Sequence, residues 1–425
     1  MSLLRLILAG LACALSSALA QETLFMEVPK KTFPEDKTRV EAEALFSMPP
    51  PNGYLPVRIT IVNQRKTDGS ITIDTTASTS GGPETDSELT SEFRLSSKAE
   101  SSSTHDLLVP LTTDLDGDGS TAQIIMGGSF GRSSGGVGSN FAPDSAAVLM
   151  SEALHTPNSS ILDSELNGRS GGYRSYSFAA RFEPLRMPED WRAYVGYDSM
   201  ILTDKDWNEL PPGARSAIQQ WVRLGGSIYI HRIGGTGSFN SLGLDGVPLN
   251  SGTLAYGYGS FHLESLAAGG GMKLDPKATV TRFSTGKRGT GSQLQSILND
   301  YSKGWPLHTA FGKQEFSYAL FIVVLVAFGV LVGPVNLFVF AKSGQRHKLF
   351  ITTPIISLAT SAILIMLILA KDGVGGRGMR VTLMEVMPGQ NENRAYVIQE
   401  QVSRTGVLVG SSFELSEDAT ITPVP

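Results

Sequence analysis

Three residues of this chain have the types and the order of a serine hydrolase triad. Ser129 is the central residue of Gly-Gly-Ser-Phe-Gly at 127–131, which matches G-x-S-x-G and follows a predicted strand. Asp204 and His231 each lie at the end of a later predicted strand. The order Ser, Asp, His is that of α/β-hydrolases, and the carboxyl ends of parallel strands meet in one crevice. In such a site His231 would deprotonate Ser129, and Asp204 would orient the imidazole.

The sequence after Ser129 argues against this triad. In a hydrolase the motif leads directly into a helix, and a backbone amide at that turn completes the oxyanion hole. Residues 132–139 are instead Arg-Ser-Ser-Gly-Gly-Val-Gly-Ser, and glycine is among the poorest helix formers. A second G-x-S-x-G match at 131–135 shows how easily a Gly/Ser-rich sequence produces the motif. Asp204 also suits the N-cap of a helix at 205–210. We therefore assign no catalytic residue and keep the serine hydrolase as the alternative.

Asp114, Asp116 and Asp118 resemble the start of a calcium-binding loop. They belong to Asp-Leu-Asp-Gly-Asp-Gly at 114–119. An EF-hand loop needs a bidentate Glu at its twelfth position, and that position here is Ile125, inside a predicted strand. The pattern therefore favours an acidic turn between two regions, with a weak calcium site as the alternative. The six histidines show no metal-ligand spacing, and the sequence predicts no cofactor.

The first 20 residues predict a secretory signal peptide. Arg5 precedes an apolar run, and Ala18-Leu19-Ala20 forms a small-x-small cleavage site. An uncleaved anchor is less favoured because the run is short, and lipoprotein cleavage before Cys13 is less favoured because Gly10 stands where lipoboxes usually carry Leu. Cys13 is the only cysteine. The mature chain would therefore have no disulfide, no cysteine-bound zinc and no cysteine nucleophile.

Two later segments predict transmembrane helices. Residues 316–341 and 349–370 carry no charged side chain, and each exceeds the ~20 residues that cross a bilayer core. Residues 342–348 between them contain three Lys and Arg residues, which predicts a cytoplasmic loop. Gly333-Pro334 predicts a kink in the first span. We expect the pair to be an anchor that leaves both flanking regions outside the cytoplasm.

Composition excludes two broad classes of protein. Hydrophobic residues make up 41% and charged residues 18% of the 425 positions, which does not fit a disordered chain. The formal net charge is -5, so the chain lacks the basic character of a nucleic-acid-binding protein.

Hydropathy patterns divide the exported part into regions. Residues 21–118 contain short alternating strands with Gly, Pro and Asn turns, which predicts an all-β sandwich. Residues 119–265 predict an α/β domain with a parallel sheet, because a strand at 197–203, an amphipathic helix at 211–224 and a strand at 227–231 form a βαβ unit. Residues 144–155 are predicted to be helical.

The remaining regions flank the membrane anchor. Residues 266–315 are a membrane-proximal segment, and residues 371–425 are predicted to be a short exported β-rich tail. The tail has predicted strands at 379–386, 394–402 and 407–415.

The α/β region resembles a known group of bacterial proteins. The resemblance is carried by Leu185, Met187-Pro188, Asp190-Trp191, Tyr194, Tyr197-Asp198, Ala217, Trp221-Val222 and Gly225-Gly226, and by Gly333-Pro334-Val335-Asn336 in the first span. The chain is similar to bacterial membrane-anchored proteins with an exported class I glutamine amidotransferase-like (flavodoxin-like) domain. The resemblance implies the same layout of signal peptide, β-domain, flavodoxin-like domain and membrane span. Glutaminase activity is excluded, since it needs a Cys nucleophile and the mature chain has none.

These patterns together predict a protein of the bacterial inner membrane with most of its residues on the periplasmic, extracytoplasmic side. The predicted function is a non-catalytic binding or scaffolding module of the cell envelope. Its expected partners are the membrane and another envelope protein, and its ligand stays open.

Overall fold

The computed structural model of this chain describes residues 38–79, 88–112, 120–143, 145–170, 175–233, 238–250, 252–266, 272–284, 306–311, 318–340, 344, 346–372, 377–387, 394–404 and 419–421. The chain divides into two compact units. The first unit spans Met1–Asn299 together with Thr420–Pro425, and the second spans Asp300–Ala419.

The first seven strands form two antiparallel sheets. They are β1 (Arg39–Ala44), β2 (Gly53–Asn63), β3 (Gly69–Thr79), β4 (Glu88–Ser97), β5 (Ser101–Leu111), β6 (Ser120–Gly128) and β7 (Gly131–Gly138). One sheet has the order β1-β2-β5 and the other β4-β3-β6-β7. Alternate residues of both sheets, such as Ile59 and Ile73, point into one shared core. We expected the second region to begin at residue 119, but the pairing of β6 with β3 places residues 120–138 with the first.

The next seven strands form one mixed sheet. They are β8 (Val148–Ser151), β9 (Ala179–Phe182), β10 (Ser199–Thr203), β11 (Ser227–Ile233), β12 (Val247–Asn250), β13 (Thr253–Tyr256) and β14 (Gly259–Leu266). The sheet order is β12-β13-β14-β11-β10-β8-β9. The strands β9, β8, β10, β11 and β14 are parallel, and β13 and β12 continue the sheet antiparallel.

Helices cover both faces of this mixed sheet. They are α1 (Glu152–Ser170), α2 (Asp204–Glu209), α3 (Pro212–Arg223) and α4 (Pro276–Ser284). Trp207 of α2 and Trp221 of α3 lie in the core on one face, while Leu162 of α1 and Phe283 of α4 lie in the core on the other. The predicted βαβ unit is present, because β10 and β11 are parallel neighbours with α3 between them in the chain.

The prediction of a helix at 144–155 is wrong for the first half of this range. Residues 148–151 form the buried strand β8, and α1 begins only at Glu152. Strand β8 is buried at all four positions. A strand with both faces buried is a continuous apolar run, and its periodicity cannot be told from that of a buried helix.

Among the described residues, the second unit contains three α-helices and a hairpin. They are α5 (Pro306–Phe311), α6 (Tyr318–Val330) with π-helical turns from Leu331 to Phe340, α7 (Leu349–Asp372), β15 (Arg377–Met387) and β16 (Arg394–Arg404). Two helical segments, Ile322–Val339 and Arg346–Leu367, are long and apolar enough to cross a membrane. The two predicted tail strands at 379–386 and 394–402 pair antiparallel, and the third, at 407–415, lies outside the described residues.

Candidate functional site

Ser129 lies in the tight turn of the β6–β7 hairpin. Its Oγ accepts a hydrogen bond from the Ser70 N–H at 3.1 Å, and its own N–H donates to the Ser70 carbonyl at 3.0 Å. Gly128 and Gly131 have φ of 139° and 121°, values that favour glycine. The G-x-S-x-G match is therefore a hairpin turn that leads into a strand, whereas a hydrolase requires a helix at this point.

Asp204 is the first residue of α2 and not its N-cap. Thr203 is the N-cap, and its side chain and that of Asp206 form a reciprocal capping box. The predicted N-cap, Asp204, was therefore one residue too late in the chain. Ser129 belongs to the four-stranded sheet, whereas Asp204 follows β10 and His231 lies on β11 of the mixed sheet. The structure does not bring the three residues together on one sheet.

The His231 side chain lies beside a different carboxylate. Its Nδ1 lies 3.8 Å from Glu264 Oε2 on the neighbouring strand β14, and Arg282 of α4 forms an ion pair with the same carboxylate. Only 7% of His231 is exposed. Burial lowers the pKa of His231; Glu264 opposes this effect, and Arg282 adds to it. His231 is therefore a neutral imidazole beside an ion pair at neutral pH.

Two aromatic rings complete this cluster. The Tyr229 and His262 rings stack at 4.5 Å, and the Arg282 guanidinium lies 5.4 Å from the centre of the Tyr229 ring. The His262 ring is hydrogen-bonded to the Ser260 and Thr253 hydroxyls at 2.8 and 3.3 Å. Side chains of the sheet and of α4 thus pack against one another at this position, an arrangement that stabilises the fold.

Metal ligands do not cluster in the part of the chain that the structure describes. Among these residues, no group of three or more His, Cys, Asp and Glu could hold a metal ion. The calcium candidates Asp114, Asp116 and Asp118 lie outside the described residues.

A groove of about 460 Å³ lies between the β2–β5 sheet and the loops beside the mixed sheet. Its walls expose polar and apolar groups in similar measure. They are formed by Pro56, Arg58, Asp106, Leu107 and Leu108 on one side and by Leu185, Met187, Pro188, Glu189, Asp190 and Pro211 on the other. Leu185 is 71% exposed. The volume is in the range of sites that bind small molecules or a few residues of a peptide.

Three of the four charged side chains that line the groove are paired within the chain. Arg58 donates two hydrogen bonds to Asp106, at 2.7 and 2.8 Å. Asp190 caps the turn at Trp191–Tyr194 and accepts from the Arg192 guanidinium. The Glu189 carboxylate lies against Gly213 at the start of α3, so close that a Cβ at position 213 would be 2.4 Å from Glu189 Cδ. The groove therefore offers both polar and apolar groups to a ligand.

One further segment of the chain lies near this groove. Tyr54, Pro56 and Arg58 alternate along β2 and share the face that points away from the core of the first two sheets. The Ile421 N–H donates a hydrogen bond to the Tyr54 hydroxyl at 3.1 Å. Ile421 is therefore held at the Tyr54 side chain, two residues before Pro56 of the groove wall.

The sequence motif at 185–198 shapes this groove without chemistry of its own. The Tyr194 hydroxyl donates to the Pro188 carbonyl at 2.6 Å, and the Tyr197 hydroxyl donates to the Met48 carbonyl at 2.7 Å. Burial raises the pKa of both tyrosines well above the usual value. In the sequence these residues were noted only because they resemble a known group of bacterial proteins, and not as the wall of a groove. The groove itself depends on how β2 and β5 pack against the loop, and no spacing in the sequence signals that.

Comparisons with known proteins add little. No protein-family model and no curated protein matches the chain. Among solved structures, the solution structure of R. palustris CsgH matches at 13% identity with a TM-score of 0.15, over 23% of this chain and 90% of that chain. A calcium-binding mutant of Bacteroides uniformis beta-glucuronidase 2 matches at 8% identity with a TM-score of 0.17, over 45% of this chain and 23% of that chain. Likenesses of this size carry no argument about fold or function.

Proposed function

We propose that the chain is a membrane-anchored binding module of the bacterial cell envelope. Its groove, on the extracytoplasmic side of the inner membrane, holds an extended segment of a partner protein. The observation that carries the proposal is the groove itself, where apolar side chains such as Leu185 lie beside the paired charges of Arg58 and Asp106. The serine hydrolase alternative loses its support, because Ser129 lies in a hairpin turn of a different sheet from His231.

The proposal includes a specific architecture. The shared core of the first two sheets supports a β-sandwich. The parallel strands, numbered by their order along the chain, lie in the order 2-1-3-4-5, which supports a flavodoxin-like domain of the glutamine amidotransferase type. A β-domain, a flavodoxin-like domain and then an apolar helix follow one another in the layout that the sequence resemblance implies.

The anchor is proposed to cross the membrane twice. Both apolar helices are long enough to span a bilayer, and residues 342–348 between them are basic. Tyr54 precedes both helices in the chain and Ile421 follows them, yet the two residues share a hydrogen bond. Residues in contact lie on the same side of a membrane, so the contact supports an even number of crossings. The predicted signal peptide places that side outside the cytoplasm.

Photo-crosslinking tests the binding proposal. A photoreactive amino acid at position 185 in the full chain, irradiated in intact membranes, is expected to give discrete adducts. The matched control is position 161, where Ile161 of α1 is also an exposed apolar side chain, at 49%. Adducts at 185 that are absent at 161 support the groove. Equal labelling at both positions, or none at 185, contradicts it.

A further inference from the structure

We infer that the partner segment binds as an added β-strand along the edge of β5, and that it carries a Lys or Arg side chain that pairs with Glu189. The inference rests on the proposed function of the groove, because it names the mode of binding and the chemistry of the partner at the same site. It starts from two features of the walls, an open strand edge on one side and an unpaired carboxylate on the other.

The first wall of the groove follows an edge strand. The sheet order β1-β2-β5 places β5 at the end of its sheet, and no strand among the described residues pairs with its outer edge. Asp106, Leu107 and Leu108 of β5 all line the groove. Successive side chains of a strand point to opposite faces, so the groove reaches the backbone of β5. An edge strand presents unpaired N–H and C=O groups, which are the groups that an extended peptide uses when it adds to a sheet.

The second wall carries the unpaired carboxylate. Glu189 is exposed, and it forms no ion pair or hydrogen bond with another of the described residues, whereas the other charged side chains of the walls are paired. The Glu189 carboxylate lies against Gly213 in the first turn of α3, and the N-terminal end of a helix favours a negative charge. The groove therefore presents one carboxylate to a cationic side chain of a ligand.

The residues beside Glu189 determine the rest of the pattern. Leu185, Met187 and Pro188 form the apolar part of the same wall. Alternate side chains of an added strand point to one face, so those that face this wall are expected to be a basic residue and apolar residues two positions away. The partner is therefore an extended segment that combines apolar side chains with a positive charge.

Peptide selection on the purified full chain in lipid nanodiscs tests the charge. The probe is a phage library of random 12-residue peptides, from which clones that also bind Leu185→Asn are removed so that the remaining clones depend on the groove. These clones are expected to be enriched in Lys and Arg on the parent chain. The enrichment should disappear on Glu189→Gln and change to Asp and Glu on Glu189→Lys.

Asp245→Asn is the matched control for this selection. It removes an exposed carboxylate that does not line the groove, and it should leave the enrichment unchanged. Glu189→Gln should weaken binding of the tightest selected peptide by about twofold to fivefold, since an exposed ion pair contributes little free energy. The same enrichment on the parent chain and on Glu189→Gln, or no basic residue in the selected peptides, overturns the role of Glu189.

N-methylation of the selected peptide tests strand addition. One amide is methylated at a time, which removes one backbone donor. Every second amide of an added strand faces its neighbour strand, so methylation at alternate positions should weaken binding by about tenfold and methylation at the positions between them should not. Equal effects at neighbouring positions, or no effect at any position, overturn strand addition.

The two proposals fail in different ways. Suppose that position 185 still gives specific adducts to another protein in membranes. A selection without groove-dependent peptides, without basic residues or without the alternating effect of methylation then overturns this inference and leaves the binding module in place. The absence of both groove-dependent peptides and adducts specific to position 185 overturns both proposals.

Discussion

His231 shows how burial determines the state of a single side chain. A His at the end of a parallel strand is a natural candidate for a general base, but this one faces Glu264, and Arg282 already neutralises that carboxylate. The Nδ1 atom is buried and has no hydrogen-bond partner among the described residues. Protonation of His231 is therefore disfavoured, and its side chain packs in the core as a neutral imidazole.

Stability is expected to fall as the pH drops below about 6.5. Burial lowers the pKa values of His155, His231 and His262 from the ordinary 6.5 in the folded chain. The unfolded chain therefore binds more protons in this range, and the free energy of unfolding rises with pH. One proton changes it by at most about 1.4 kcal/mol per pH unit. His231→Gln should lose less stability between pH 7 and pH 5 than the parent chain.

Guanidinium unfolding, followed by tryptophan fluorescence in detergent, measures this difference. The comparison at pH 8, where the imidazoles are neutral, gives the packing cost of the substitution alone. If both chains lose the same stability on acidification, His231 does not contribute to the pH dependence.

Ser129 is expected to be unreactive. Its hydroxyl accepts the Ser70 N–H in a hairpin turn, and β7 follows it directly. A fluorophosphonate probe should therefore give the full chain and Ser129→Ala the same labelling. Labelling that disappears in Ser129→Ala, accompanied by esterase turnover, would restore the hydrolase hypothesis.

At the scale of elements, the contact between α3 and β14 depends on two glycines. A Cβ at Gly259 would lie 2.1 Å from the Gly226 carbonyl oxygen and 2.2 Å from the Val222 carbonyl oxygen. Backbone atoms cannot move aside as a flexible side chain can. The absence of a side chain at Gly259 therefore lets the end of α3 approach the sheet closely.

Gly259→Ala should destabilise the fold by about 1–3 kcal/mol because it overpacks this contact. The matched substitution is Gly168→Ala in α1, where a Cβ meets nothing within 4 Å. That change should stabilise the chain by about 0.5–1 kcal/mol, since alanine loses less conformational entropy than glycine when a helix forms. Chemical unfolding of the two variants checks both signs, and a neutral Gly259→Ala would contradict the packing described.

Asn336 joins the two apolar helices. It is fully buried; its Nδ2 donates to Thr353 Oγ1 at 2.9 Å, and its Oδ1 accepts from Thr352 Oγ1 at 2.6 Å. It follows Pro334 in the π-helical turns where the sequence predicted a kink. Wider turns accommodate a residue that lacks the N–H of a helical hydrogen bond.

Asn336→Leu is expected to loosen the helix pair by about 1–2 kcal/mol, because polar contacts between membrane helices are worth about this much. Fluorescence energy transfer between labels at positions 338 and 358, whose side chains are 72% and 75% exposed, follows separation of the helices in SDS. Ser361→Leu, at an exposed position of α7, is the control. Equal SDS resistance of Asn336→Leu and the parent chain would show that the contact does not hold the pair.

The elements differ in how far the sequence could predict them. The alternation of apolar residues along β2 and the amphipathic stripe of α3 were sufficient to predict these two elements. Each element has one face in a hydrophobic core and one face that is more exposed. Strand β8 was missed because both its faces are buried. Glu264 and Arg282 could not be assigned to His231, since their meeting depends on the register of β11 with β14 and on where α4 packs. The groove was missed for the same reason.

At the scale of the whole molecule, the proposed function requires a binding groove and a membrane anchor in one chain. The groove lies within the first unit, and the apolar helices belong to the second. The proposed double crossing puts the chain before the helices and the chain after them on one side of the membrane, and the hydrogen bond between Tyr54 and Ile421 supports this. If the two parts lie on opposite sides, the proposed anchor is wrong.

Cysteine accessibility tests this claim most directly. In a Cys13→Ala background, single cysteines replace Ser238, Ser343 or Ser412, and intact spheroplasts are treated with a membrane-impermeant maleimide. The account predicts that Ser238→Cys and Ser412→Cys react without lysis, while Ser343→Cys reacts only after lysis. Labelling of Ser343→Cys in intact spheroplasts, with Ser412→Cys protected, would place the two ends of the anchor on opposite sides and contradict the account.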